Sequence, residues 1–113
     1  MTLKSKLYIY GVLHTLVMTL VVVSACLERA VWDNGHLMSD VWFWGTLADT
    51  YLAFLLLALW AIYKERRVAW QIFWVLGFVF LGNIAIGIFI LRATSKLAAA
   101  SGLRAFLGDR FDD

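Results

Sequence analysis

The chain has 113 residues, of which 63% are hydrophobic and 16% charged, with a formal net charge of +2. A soluble domain this short has too little interior to hide so much apolar side chain, which points to a bilayer and to a single domain. The slight net charge argues against nucleic acid as a partner. The lone cysteine, Cys26, leaves no disulfide framework or thiolate metal cluster, and no Gly-rich phosphate loop, nucleophile elbow or zinc spacing is found. These absences lead to the expectation of a protein without catalytic activity, metal or cofactor.

Lys4 and Lys6 precede an apolar run over 7–27. At about 20 residues it is long enough to cross hydrocarbon as a helix. Tyr8 and Tyr10 suit the headgroup level. Gly11, Thr15 and Thr19 recur every four residues as a small-residue stripe that lets another helix approach closely, with His14 and Met18 beside it. Val23-Ser24-Ala25-Cys26 resembles a lipoprotein cleavage box, but the tyrosines, histidine and threonines of the run before it favour a membrane span. Residues 28–41 form the longest polar connection, with a turn signal at Asn34-Gly35, a solvated His36, and Ser39 or Asp40 as candidate caps for the next helix.

The second predicted span, 43–63, carries Gly45, Asp49 and Ala53 on one face. A carboxylate in hydrocarbon is costly and needs a partner. Lys64-Glu65-Arg66-Arg67 then makes a tight charged turn, so a third predicted span, 69–91, returns antiparallel to the second. Trp70 and Trp74 lie near its start, and Gly82, Asn83 and Gly87 fall within it. Beyond Arg92, the sequence predicts a short amphipathic segment over 93–113 lying on the membrane surface. Ala100, Leu103, Leu107 and Phe111 share one face of it beside Phe106, and Asp109, Asp112 and Asp113 form an acidic end. The expected fold is an all-α membrane bundle of three transmembrane helices with this surface tail.

The cations divide equally between the two sides of this predicted bundle. Lys4, Lys6, Lys64, Arg66 and Arg67 lie on one side, and Arg29, Arg92, Lys96, Arg104 and Arg110 on the other. The basic turn against the acidic 28–41 loop places the N-terminus and turn in the cytoplasm, and the loop and tail outside. Asp49 and Asn83 each lie 14 residues from the turn ends at Tyr63 and Ala69. At about 1.5 Å per residue both are roughly 21 Å deep. Thr19 falls near the same level, so Asp49, Asn83 and Thr19 are candidates for one polar layer. That layer glues the helices, binds a proton, cation or small polar ligand, or faces other chains of an oligomer or larger complex. His14 is an interhelical hydrogen-bonding residue or, alternatively, an axial ligand for haem or a pigment.

The motif Leu47-Ala48-Asp49-x-Tyr51, Trp60-x-x-Tyr63-Lys64-Glu65, Trp74 and Leu81-Gly82-Asn83-Ile84 resembles that of a family of short three-span bacterial membrane proteins of unknown function. The resemblance covers roughly 7–91 and implies a standalone membrane unit of the bacterial inner membrane, with Asp49, Tyr51, Lys64, Glu65 and Asn83 as residues of interest. A weaker likeness is to SWEET-type three-helix half-transporters, whose hinges use prolines that this chain lacks. The functional expectation is a structural or accessory membrane protein that self-associates or docks to other membrane subunits. The alternatives are a small carrier using Asp49 and Asn83 and a pigment subunit using His14.

Overall fold

The computed structural model describes residues 2–30, 32–98 and 101–112. They form helix α1 (Leu3–Glu28), a 3-10 turn (Gly35–Ser39), α2 (Val41–Lys64), α3 (Val68–Leu81), α4 (Asn83–Ser95) and α5 (Leu103–Gly108), with no strand among the described residues. The expected all-helical fold is present, and α1 and α2 are long and apolar enough to cross a membrane. Thr2 opens α1 by accepting the Ser5 amide on its hydroxyl, and Asp40 opens α2 by accepting the Trp42 amide at 2.9 Å. Both are side-chain N-caps that satisfy otherwise orphaned donors.

The third apolar run differs from expectation. It is not one span but two helices of 14 and 13 residues that meet at Gly82. Gly82 has φ 57° and ψ −123°, a conformation that side chains disfavour, and the chain reverses there. Its amide donates to Phe78 O and its carbonyl accepts from Ile86 N, so the same residue closes α3 and opens α4. A Cβ on Gly77 would lie 3.3 Å from that of Ala85. Trp74 meets Phe89 with ring centroids 5.1 Å apart, and the Arg92 guanidinium lies 4.0 Å from the Trp70 ring. These contacts progress antiparallel away from Gly82, so α3 and α4 form a helical hairpin. Tyr51 on α2 steadies its tip by donating to Val79 O at 2.9 Å, filling one of the carbonyls that the end of α3 leaves open. The run is apolar on every side, so periodicity alone does not distinguish a span from a folded-back pair.

The other helices pack around this hairpin. Gln71 on α3 donates to Ile62 O and Glu65 O, both at 3.0 Å, fixing the expected antiparallel α2–α3 turn. The small-residue stripe of α1 lies on α4. A Cβ on Gly11 would meet Leu91 Cδ2 at 2.7 Å, and one on Gly87 would overlap Thr15 Oγ1. Gly11 faces Leu91 and Thr15 faces Gly87, so α1 runs antiparallel to α4 and begins at the turn end. Phe89 centres the core, touching Trp60, Trp74, Phe78 and Phe111 through ring contacts.

The reversal also relocates the tail. It comes back to the turn rather than emerging on the opposite side. The Phe111 amide donates to Lys64 O at 2.9 Å, and the Trp60 indole donates to Leu107 O at 2.8 Å. Its buried face is Phe106 and Phe111, whereas Leu103 and Leu107 are exposed. The expected face of Leu103, Leu107 and Phe111 is therefore split, because the helix ends at Gly108 before Phe111. Ala100 and Asp113 lie outside the described residues.

Candidate functional site

The best-ordered chemistry is gathered at the turn. Glu65 caps α2 and is completely buried. Its Oε2 accepts from Trp74 Nε1 at 2.8 Å and Arg92 Nε at 2.6 Å, and its Oε1 accepts from Arg92 Nη2 at 3.0 Å. The Arg92 fork meets both carboxylate oxygens, the strongest arrangement available to this pair of groups. Trp70 lies under the guanidinium face as a cation–π partner. In water such a pair contributes little, but a buried carboxylate left without its partner is costly.

Lys64 adds a second fastening. It is buried, and its Nζ donates to the carbonyls of Phe106 and Asp109, with the Phe111 ring centroid 5.1 Å away. Arg66 Nε donates to Phe111 O and Arg110 Nε to Tyr63 O, both at 2.6 Å, while the Tyr63 hydroxyl donates to Gly108 O at 2.5 Å. Donors from one strand of the turn thus meet carbonyls of the tail, and the reverse. The arrangement is a closed clamp that holds α2, α3, α4 and the tail together.

The sequence-derived polar layer is placed differently. Thr19 and Asn83 are half-buried, and the α1–α4 register of Gly11 with Leu91 and Thr15 with Gly87 continues toward them. Asn83 begins α4 at the hairpin tip, next to Gly82, whose neighbour on α2 is Phe54. Asp49 itself is exposed, and among the described residues no hydrogen bond joins Asp49, Asn83 and Thr19. Tyr51 serves the hairpin tip as described above. His14 rests its ring on Gly87 with Nδ1 3.0 Å from the Tyr10 hydroxyl, and its Nε2 is enclosed without a hydrogen-bond partner. One nitrogen is thus engaged by Tyr10, and the other is enclosed where α1 meets α4. Among the described residues no cluster of three or more His, Cys, Asp or Glu side chains is arranged to hold a metal ion.

Sequence reasoning identified Lys64 and Glu65 but missed Arg92, which it placed across the membrane from them. On a straight helix, Arg92 would lie about 35 Å from the turn along the axis. The glycine at position 82 was the one local sign of the reversal. No family model, curated protein or solved structure matches the chain.

Proposed function

We propose that this is a small integral membrane protein of structural or accessory role, which self-associates or docks to a larger membrane assembly. In this reading α1 and α2 cross the bilayer, and the α3–α4 hairpin enters from the turn side and returns to it. A helix of 14 residues reaches about 21 Å, short of a hydrocarbon core of about 30 Å. With the tail beside the turn, nine of the ten Lys and Arg residues lie at one end and Arg29 alone at the other. The positive-inside tendency then puts both termini and the turn in the cytoplasm of a bacterial inner membrane. The likeness to short bacterial membrane proteins is carried partly by Tyr63, Lys64, Glu65 and Trp74, the residues that build the clamp.

The observation that carries the docking role is Asp49. It is exposed on an apolar helix, about 12 Å from the start of α2, without a partner among the described residues. A carboxylate at that depth calls for a polar group from another molecule. Native mass spectrometry in mild detergent, with an absorption spectrum of the same sample, tests this. A complex larger than the monomer is expected, lost in Asp49→Leu with the helix content unchanged. A colourless monomer, with or without the carboxylate, contradicts the reading.

A carrier role is the second reading, favoured by Asn83 beside the break at Gly82, since interrupted helices line polar sites in transporters. It predicts that Asp49→Asn keeps the assembly but loses a co-purifying small molecule.

A further inference from the structure

The turn end is rich in cations and poor in acids. Glu65 is buried and committed to Arg92, which leaves Asp109 and Asp112 as the acids described on that surface. At the same end Lys6, Arg67 and Arg104 are exposed, as are Lys96 and the clamp residues Arg66 and Arg110. The tail helix α5 is pinned from one side by buried Phe106 and by the Trp60 indole on Leu107 O. On its other side Leu103 and Leu107, one helical turn apart, are 55% and 50% exposed, with Arg104 beside them. Two outward leucines flanked by cations, held where α2 ends in Trp60, Tyr63 and Lys64, match a short segment that enters the headgroup boundary.

We infer that this end of the molecule is a recognition surface for anionic phospholipids. Leu103 and Leu107 set α5 into the edge of the leaflet, and Arg67, Arg104 and their neighbours meet the lipid phosphates. The inference rests on the membrane reading above and goes beyond it by naming a lipid class and the residues that select it. The occupant is fixed by charge: clustered cations beside a membrane-spanning helix attract acidic headgroups, and neutral zwitterionic lipid gains little there.

The test is native mass spectrometry of the whole chain from micelles holding equal amounts of phosphatidylglycerol and phosphatidylcholine, counting the lipids each protein molecule retains. The unaltered protein should retain phosphatidylglycerol in clear excess. Arg67→Gln combined with Arg104→Gln should reduce that excess by on the order of tenfold. Both side chains are exposed, and an unchanged circular dichroism spectrum and melting temperature will establish that the fold is intact. Leu103→Ser with Leu107→Ser, which keeps every charge, should lower total lipid retention and leave the selectivity. Equal retention of the two lipids by the unaltered protein overturns the inference, as does an excess that persists without Arg67 and Arg104. Failure of the membrane reading looks different: the protein would stay in solution without detergent and enter vesicles of neither composition.

Discussion

The two ends of this molecule are built on opposite terms. At the turn end, four helices and the tail converge, aromatic rings fill the centre, and the buried charges of Lys64 and Glu65 have their partners. At the loop end the hairpin has already reversed, so the last turns of α1 and the first turns of α2 extend without a helix from α3 or α4 beside them. There Asp49, Trp42 and Trp44 are exposed. In one half the chain pairs its buried charges, and in the other it leaves a carboxylate exposed. On the reading proposed above, stability belongs to the first half and association to the second.

The sharpest way to break that division is Glu65→Leu. It strands the Arg92 guanidinium and the Trp74 indole, and loss of one partner of a buried pair costs about 3–5 kcal/mol. Thermal unfolding in detergent should show the largest drop of any single change, and Glu65→Leu with Arg92→Met should recover much of it. Next is Gly82→Ala, which places a side chain at φ 57° and within 3.0 Å of the Phe54 ring. Strain of this kind costs about 1–3 kcal/mol, read in the same assay.

Gly87→Ala comes third. Its methyl would meet the Thr15 hydroxyl and, at 3.1 Å, the Thr15 backbone, so α1 must move away from α4. Overpacking of this order costs roughly 1–3 kcal/mol. Gly11→Ala should cost less, because it meets the flexible end of Leu91 rather than backbone. The smallest effect on stability is expected for Asp49→Leu, within about 0.5 kcal/mol, since nothing in the chain depends on the carboxylate. The same substitution should have the largest effect on assembly. If Asp49→Leu unfolds the protein and Glu65→Leu does not, the two halves have been assigned the wrong way round.

Much of this was legible in the sequence, and its limits are physical. The lengths of α1 and α2 followed from apolar runs, the start of α2 from the capping Asp40, and the tight α2–α3 turn from four consecutive charges. The stripe of Gly11 and Thr15 correctly signalled close helix packing, although its partner is a half-length helix. The reversal at Gly82 was not legible because residues 69–91 are apolar on all sides, and such a run satisfies its backbone as one helix or as two. Everything that depended on that choice followed it. The Glu65–Arg92 pair, the side on which the tail lies and the division of cations between the ends all change together when the chain folds back. Asp49 was expected to meet Asn83 and Thr19 in one layer, an expectation that assumed three full-length helices, and it lies exposed on α2 instead.

The side on which the tail emerges therefore tests the account most directly. With Cys26 replaced by alanine, single cysteines at His36, Arg67 and Asp112 can be labelled with a membrane-impermeant maleimide in intact cells and in inverted vesicles. With the hairpin, positions 67 and 112 will label together, from the vesicle side, and position 36 only from outside. Labelling of position 112 together with position 36 would mean that residues 69–91 cross the membrane as one helix, and would contradict the hairpin.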